Sequence, residues 1–306
     1  MKRWKKVYCL SWRPPYGYIG LPPNAEYISV DFLALPDEIV AVLKAKKVTA
    51  DHVFFFSYVH PILNHNRNPW TTAQESLNIN CTLFSNFLTA IPIASITPER
   101  ILLQTGARTY GVHLGPTKLP QEESDARVLL EPSFYYAQED ALSAFCEEMG
   151  CASNVCVPGH ITGAVADAAM KYAYPLAIYA ALCAKLGEPM MFPGDVTAWQ
   201  SPQSLSCALM NAYMEDWAVL PAPRSERFNT CDGSSFTWEA AWPVVSKWYG
   251  ARSIGPWEGD QYQVQETRFN PRGYGGNGVM RWKFTMVSWA ARQEFKKAWA
   301  SLAIEA

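Results

Sequence analysis

The sequence lacks a large charge of either sign. Its 306 residues carry 26 Lys and Arg against 28 Asp and Glu, which gives a formal net charge of −2. Proteins that hold nucleic acid through its phosphates, or that lie on anionic membranes, need clustered positive charge. The balance of charges therefore argues against nucleic acid and a membrane surface as partners.

Long hydrophobic runs are also missing. The opening "MKRWKKVYCLSW" is basic, but the apolar run that follows the lysines is only "VYCL". This run is too short for a signal-peptide core, and no stretch approaches a membrane span. Because 49% of the residues are hydrophobic, the chain can still bury a full core in one large or two modest domains. We expect a globular cytoplasmic protein.

Metal-binding patterns are absent as well. The chain has eight cysteines, and their one local cluster, Cys146, Cys151 and Cys156, lacks the C-x-x-C spacing of zinc sites. The five histidines show no ligand spacing either. We therefore expect no metal site and interpret the cysteines as buried free thiols.

Short apolar runs alternate with longer segments of helical spacing. The predicted strands are 7–12, 26–32, 52–58, 100–106 and 154–159, and the predicted helices between them are 36–47, 72–91 and 135–150. Four of the strands are nearly continuous apolar runs, as parallel strands covered on both faces are. This β-α-β alternation predicts an α/β protein with a Rossmann-like, doubly wound parallel sheet.

The pattern changes near residue 165. Three helical segments punctuated by proline and glycine follow, at 170–189, 201–220 and 235–250, and a final helix is predicted over 285–306. The stretch 255–282 has no clear period, and its "GYGGNG" at 273–278 does not follow a predicted strand. We predict a Rossmann-like core over 1–165 and a mostly helical, substrate-binding cap over 166–306, with 255–282 as an irregular insertion.

The run "RILLQTGARTYGVHLGP" at 100–116 leads from a buried strand into a turn rich in reactive side chains. The carboxyl ends of parallel strands are where open α/β sheets bind ligands, so this turn predicts one wall of an active site. Together with "FYYAQED" (134–140), "PGHITGAV" (158–165) and the long segments 174–199 and 227–250, it resembles the short-chain dehydrogenase/reductases of the progesterone 5β-reductase and iridoid synthase-like (PRISE) family, in its fungal form.

The resemblance implies NADPH-dependent reduction of a double bond conjugated to a carbonyl, and it assigns two catalytic positions. The catalytic tyrosine falls on Tyr135, while the catalytic lysine of the family falls on Arg108. A unit charge about 4 Å from a phenol is worth roughly 4 kcal/mol, or about three pK units. Arginine keeps that charge but not the compact shape of an ammonium, so we expect impaired chemistry if Arg108 faces Tyr135. The alternative interpretation is a solvated loop arginine.

The resemblance also implies a dinucleotide pocket for NADP(H). Its expected members are, from the strand ends in chain order, Arg13, Asp31, Phe32, Ser57, Tyr58, Thr105, Gly106, Pro158 and Ile161. A hydrophobic small-molecule substrate is expected against aromatic and methionine side chains, namely Phe134, Tyr136, Met170, Tyr172 and Tyr174, although core packing is an alternative role for most of them. A homodimer is compatible with this resemblance.

The family begins with a strand, a G-x-x-G-x-x-G turn and a helix, and no such turn precedes "VYCLSW" here. That turn is the main pyrophosphate anchor, so we expect cofactor affinity to fall steeply without it. Its strand lies in the middle of the family's sheet, which predicts unpaired edges on the strands at 7–12 and 52–58. A longer natural protein and a degenerate copy whose sheet closes differently both remain open.

Three functions follow. The first is an NADPH-dependent reductase of a hydrophobic enone or carbonyl compound in secondary metabolism, in which Tyr135 stabilises the oxyanion. The second is a redox-silent small-molecule binder or cyclase/isomerase on the same scaffold, favoured by Arg108 and the missing turn. The third is a truncated, inactive copy.

Overall fold

The computed structural model describes residues 3–14, 21–59, 73–114, 117–163, 173–266 and 279–305. Met170, Tyr172 and the stretch 273–278 lie outside these ranges. In the first half the elements are, in chain order, β1 (Val7–Ser11), β2 (Ala25–Ser29), α1 (Pro36–Ala45), β3 (His52–Phe55), α2 (Ala73–Ile93), β4 (Arg100–Gln104), α3 (Phe134–Met149) and β5 (Ala152–Val157). All five predicted strands and all three predicted helices are thus confirmed, with shifted ends.

The second half begins with β6 (His160–Thr162), α4 (Ala173–Leu186), β7 (Met190–Met191), α5 (Val196–Gln200), β8 (Gln203–Cys207), α6 (Ala208–Val219), β9 (Glu226–Asn229) and β10 (Ser235–Phe236). It continues with α7 (Trp238–Trp248), β11 (Ser253–Ile254), β12 (Gln263–Glu266), β13 (Val279–Trp282), α8 (Met286–Ala290) and α9 (Gln293–Glu305). The helices predicted over 170–189 and 235–250 are confirmed as α4 and α7.

The central sheet is parallel and has the order β3-β4-β5-β9. Its middle strand β4 is buried on both faces: Ile101 and Leu103 enter the core formed with α1, α2 and α3, whereas Leu102 packs against Ala218 and Val219 of α6. Double coverage explains why β4 is a continuous apolar run. The Rossmann-type prediction for the core is confirmed.

Strands β1 and β2 form a separate parallel pair. Their side chains Tyr8, Leu10 and Ile28 join the same apolar core as β3 and β4, yet among the described residues β1 is bonded to β2 alone and β3 to β4 alone. The predicted unpaired edges are therefore present. Trp4 packs beside the unpaired edge of β3, with its ring edge-on to His52 and Phe54. Its Nε1 donates a hydrogen bond to Asp216 of α6 at 2.9 Å.

Three predictions about the second half need correction. The helix predicted over 201–220 begins only at Ala208, because 203–207 is strand β8, which pairs with both β6 and β10. The ends of 255–282 are ordered as the antiparallel pair β12-β13. The last predicted helix is two helices, because α8 ends at Ala290 and α9 starts at Gln293. For β8, pairing with two other strands outweighs local helical periodicity.

A second core lies among the later helices. Tyr179 of α4, Trp242 of α7 and Trp289 of α8 are each at most 7% exposed. The Tyr179 ring meets Trp289 edge-on and Trp242 at a tilt. The Trp242 indole donates to the backbone oxygen of Met190, so its polar atom is satisfied inside the core. No helix in the described ranges is long and apolar enough to cross a membrane. All eight cysteines are free, as predicted, but only Cys146, Cys156 and Cys183 are buried, so the expectation of buried thiols is wrong for the other five.

Candidate active site

The predicted wall of the site forms where β4 ends. The backbone N–H and the hydroxyl of Thr105 both donate to the carbonyl of Cys156, at 2.8 and 3.2 Å, and the N–H of Ala107 donates to the carbonyl of Pro158 at 2.9 Å. These bonds continue the pairing of β4 with β5 past the sheet. They fix Gly106 between two anchored neighbours, and the chain then enters a 3-10 turn over Ala107–Tyr110.

Gly106 lies directly against the first turn of α3. A Cβ atom built on Gly106 would be 3.1 Å from the hydroxyl oxygen of Tyr135. The Gly106 backbone is extended, with φ of 177°, so glycine is not needed there for its conformation. It is needed for the close approach, which brings the Tyr135 hydroxyl to the carboxyl edge of the sheet.

Tyr135 belongs to a small aromatic group. Its ring contacts Phe134 at a centroid distance of 4.4 Å, and Phe134 stacks on Tyr58 at 5.5 Å. Phe134 is 5% exposed, so it forms the buried side of this group. Two predicted cofactor positions, Tyr58 and Gly106, and the predicted catalytic tyrosine thus lie together at the ends of β3, β4 and the start of α3.

Burial raises the pKa of Tyr135 to about 12, and the positive charge of Arg108 only partly opposes that shift. Burial likewise raises the pKa of Tyr58, and Arg108 again acts in the opposite direction. The Arg108 charge therefore acts on both phenols, and the catalytic role of Arg108 stays a prediction. The net pKa of Tyr135 is raised because burial of the phenol outweighs the effect of the Arg108 charge, and 40% of the Arg108 side chain is exposed to water, which screens that charge.

Arg108 also binds a carboxylate. Its Nη2 lies 3.3 Å from Oε1 of Glu131, and the same oxygen binds Nε2 of His113. The Glu131 side chain is 8% exposed. Burial acts to raise the Glu131 pKa, but the contacts with His113 and Arg108 outweigh it and leave the pKa below its usual value. Glu131 is therefore a buried anion that fixes Arg108.

Sequence reasoning missed Glu131. It lies 23 residues after Arg108 in the chain, in a segment without secondary structure. No spacing rule connects a loop carboxylate to a cation at that separation. His113 was visible as one of the reactive side chains of the turn, but its partner was not.

Tyr136, predicted for the substrate pocket, instead forms hydrogen bonds to the backbone of two loops next to the site. Its hydroxyl accepts from the N–H of Val128 at 2.8 Å and donates to the carbonyl of Thr109 at 2.5 Å. The residue is 7% exposed, and the Arg127 guanidinium lies over its ring. Both hydrogen-bonding capacities of the hydroxyl are used, so Tyr136 joins the two loops that carry Arg108 and Glu131.

The predicted positions at the ends of β1 and β2 differ from one another. Arg13 is exposed and lies over the Trp12 ring at 4.5 Å, and the Asp31 carboxylate is exposed and accepts from the N–H of Leu33. Phe32 is 6% exposed and packs edge-on against Phe87. Its ring faces the core, so only its backbone borders the edge where a ligand would lie.

The remaining predicted positions are spread along the same edge and beyond it. Ser57 follows β3 and is partly buried, Pro158 follows β5 and is buried, and Ile161 on β6 is 38% exposed. Tyr174 lies in the first turn of α4 and is 51% exposed. Met170 falls outside the described residues. Within those residues no group of three or more His, Cys, Asp or Glu is arranged to hold a metal ion.

A parallel sheet covered by helices on both faces, with reactive side chains at its carboxyl edge, defines a Rossmann-fold protein. Solved structures agree on the fold. UDP-glucose 4-epimerase from Thermotoga maritima, solved with UDP-glucose, superposes with a TM-score of 0.61 at 14% identity, over 83% of this chain and 79% of that one. RMD from Pseudomonas aeruginosa, complexed with NADPH, gives 0.59 at 14% identity, over 78% and 80%.

Residues 33–283 match the PRISE-like Rossmann-fold domain, and the chain belongs to that family. An uncharacterised protein of Schizosaccharomyces pombe is 30% identical over 80% of this chain and 60% of its own length. The short chain dehydrogenase gsfE of Penicillium aethiopicum is 27% identical over 98% and 74%, and the 3-oxo-Delta(4,5)-steroid 5-beta-reductase of Arabidopsis thaliana 28% over 85% and 66%. The chain thus spans about 60% to three quarters of the length of these relatives.

Proposed function

We propose that this protein is an NADPH-dependent reductase of a hydrophobic enone or carbonyl compound in secondary metabolism. The observation that carries the proposal is the Tyr135 hydroxyl, which lies against Gly106 at the carboxyl edge of the sheet and faces the Arg108 charge. Names of relatives support it, since they include a short chain dehydrogenase and a 5-beta-reductase.

The nicotinamide end of a dinucleotide fits the residues present. The Tyr135 hydroxyl reaches the carboxyl edge of the sheet beside Gly106, and Tyr58, at the end of β3, joins the same aromatic group through Phe134. Ser57 precedes Tyr58 in the chain. The exposed Arg13 and Asp31 suit the phosphate and ribose of the adenosine end. In the described ranges no glycine-rich turn leads from a sheet strand into a helix, so those residues do not supply the usual pyrophosphate anchor. We therefore expect the described residues to bind the cofactor only weakly.

When bound, the cofactor supplies a hydride. The residues of this chain supply the polar half of the reaction. With its pKa near 12, Tyr135 keeps its proton at neutral pH, so its hydroxyl donates a hydrogen bond to the oxygen on which negative charge develops. Phe134 and Tyr58 exclude water from one side of that hydroxyl, which strengthens the bond. The Arg108 charge, which is partly exposed to solvent, adds to the stabilisation of the same developing charge.

We place the substrate between the core, 1–165, and the helical region, 166–306, against Phe134 and the start of α4 with Tyr174. A cytoplasmic location and a homodimer remain part of this proposal.

Ligand-dependent stability and turnover test the proposal together. Thermal unfolding is measured with NADPH, with NADH and with neither, and steady-state reduction of an enone panel is followed at the NADPH absorbance. We expect NADPH to raise the unfolding temperature, since a ligand at 100 times its Kd stabilises the folded protein by about 2.7 kcal/mol. The Tyr135→Phe variant should bind NADPH equally well but lose turnover. An unchanged unfolding temperature at millimolar NADPH contradicts the proposal.

A second function is supported by the contact between Arg108 and Glu131. Because Glu131 engages one nitrogen of the Arg108 guanidinium, the cation is less available for a cofactor ribose than a free side chain would be. A redox-silent binder or a cyclase/isomerase would use the Tyr135 hydroxyl without hydride transfer. In that case a terpenoid or polyketide ligand raises the unfolding temperature while NADPH does not, and no enone of the panel is reduced.

A further inference from the structure

The end of helix α3 places two cysteines side by side. Gly150 takes the left-handed conformation, with φ of 68°, and ends the helix. The N–H of Cys151 then donates to the carbonyl of Cys146 at 3.1 Å. This six-to-one bond is the closing bond of a Schellman cap, which brings its first and last residues together. β5 starts at the next residue, Ala152.

The two sulfur atoms are in direct contact. Sγ of Cys151 lies 3.1 Å from Sγ of Cys146. A disulfide bond is about 2.05 Å long, so an approach of about 1 Å would form one. Both thiols are free, and both pack into the core shared by α2 and β4. Cys156, the third cysteine of the local cluster, faces the opposite side of the sheet with Leu102 and Ala218.

Accessibility separates the roles of the two thiols. Cys146 is 4% exposed, and burial followed by the contact with Cys151 raises the pKa of its thiol. Cys151 is less buried, because it lies on the turn outside the helix. A reagent in solution therefore meets Cys151 first. Cys146 is placed to react only with a group already attached to Cys151.

We propose that Cys146 and Cys151 form a reversible disulfide by exchange with a small-molecule disulfide of the glutathione type. The Cys151 thiolate attacks one sulfur of the oxidant, forms a mixed disulfide and releases one glutathione thiolate, which takes up a proton. Cys146 loses its proton to solvent and attacks the Cys151 sulfur, and the second glutathione leaves and is protonated. Two protein thiols are oxidised, and one glutathione disulfide is reduced to two thiols.

The bond would fasten the end of α3 to the start of β5. It crosses the one turn that joins these elements, while Tyr135 lies at the opposite end of the helix. We therefore expect oxidation to raise the thermal unfolding temperature and to leave ligand binding near Tyr135 unchanged. Because this inference does not use the cofactor or the reaction, it stands or fails independently of the proposed function.

The test is a redox titration read by mass spectrometry. The full chain is equilibrated with glutathione buffers of increasing disulfide fraction, and free thiols are alkylated. Tryptic cleavage cannot separate the two cysteines, but a glutamate-specific protease cuts at the exposed Glu147 and Glu148 between them. In the oxidised protein the two peptides remain joined until a reductant is added. We expect this linkage, with a loss of two hydrogens.

Three variants give the controls. Cys146→Ala, which avoids burying a hydroxyl, should accumulate glutathione on Cys151, and Cys151→Ser should accumulate none at Cys146. Cys231→Ser removes an exposed thiol outside the pair and should behave as the unaltered protein does. Circular dichroism confirms that each variant is folded. Glutathione that stays on Cys151 in the unaltered protein, or no reaction at any disulfide fraction, overturns the proposal.

Discussion

The hydroxyl of Tyr135 and the backbone of Gly106 are in such close contact that a methyl group on Gly106 would lie 3.1 Å from the hydroxyl oxygen. Two different elements make this contact: the turn after β4, which is anchored to β5, and the first turn of α3. The position of the reactive hydroxyl is therefore set by backbone hydrogen bonds on one side and by helix packing on the other.

Replacing Gly106 with alanine should displace the Tyr135 hydroxyl by a few tenths of an ångström. We expect turnover to fall about ten- to hundredfold, since misplacement of a reacting group is costly, with little change in stability. The matched control is Gly150→Ala, which meets no neighbour but forces alanine into the left-handed conformation. That variant should lose about 1 kcal/mol of stability and keep its activity. The reverse pattern would contradict the assignment of Gly106.

Tyr135→Phe and Tyr136→Phe separate chemistry from structure. Loss of the Tyr135 hydroxyl should lower kcat about 10²- to 10³-fold and leave the unfolding temperature unchanged. Loss of the Tyr136 hydroxyl leaves the N–H of Val128 and the carbonyl of Thr109 without their buried partner, which should cost about 2 kcal/mol of stability. Urea unfolding and steady-state kinetics measure both. Equal kinetic defects in the two variants would refute the assignment.

Glu131→Gln removes the anion that holds Arg108. We expect lower turnover with an unchanged cofactor-induced stabilisation, because Arg108 loses its orientation but not its charge. Glu131→Asp keeps the anion on a shorter stem and should restore part of the activity. A variant with full activity as glutamine would show that the contact does not position Arg108.

The pH dependence of stability in acid should depend on the same Glu131 carboxylate. The Glu131 pKa in the folded state is lowered, so its stabilisation is complete above its unfolded pKa of about 4.3 and is lost as pH falls through the folded value. Glu131→Gln should thus be less stable than the unaltered protein at neutral pH, and the gap should narrow in acid. Unfolding free energies from pH 2 to 7 test this; a constant difference across that range contradicts it.

Glu215 should make the free energy of unfolding change with pH in the opposite direction to Glu131. Burial raises its pKa to about 7, with Asn211 partly opposing, and the residue is 7% exposed. The folded state therefore holds a proton that the unfolded chain loses near pH 4.3, and stability falls as pH rises to about 7. A shift of this size corresponds to about 3 kcal/mol. Glu215→Gln should abolish that slope in urea unfolding; Glu226→Gln, on an exposed glutamate, should keep it.

The fold of the first half could be predicted because strands that are buried on both faces have continuous apolar sequences. β4 is apolar at every inner position, since Ile101, Leu102 and Leu103 alternate between two cores. β8 could not be predicted in the same way. Its sequence, QSLSC, is polar and short, and it is a strand because β6 and β10 pair with it on either side.

The site could be predicted where one segment carries the chemistry. The family resemblance assigns Tyr135 and Arg108 from two short motifs, and the Arg108 charge acts on Tyr135; their catalytic roles stay a prediction. The pKa of Tyr135 could not be predicted, because it depends on how completely Phe134 and Tyr58 shield the phenol and on how much water reaches Arg108. Glu131 remained hidden, because a buried loop carboxylate has no periodicity.

Because β3 is not hydrogen-bonded to β1 in the described residues, the amides of β3 fall into two kinds. In a parallel ladder successive N–H groups point alternately to the two neighbouring strands, and the described residues pair β3 with β4 alone. Deuterium uptake along His52–Phe55 should therefore alternate residue by residue, slow where the amide is bonded to β4 and fast where it points towards β1. On β4, which is bonded to strands on both sides, uptake should be uniformly slow.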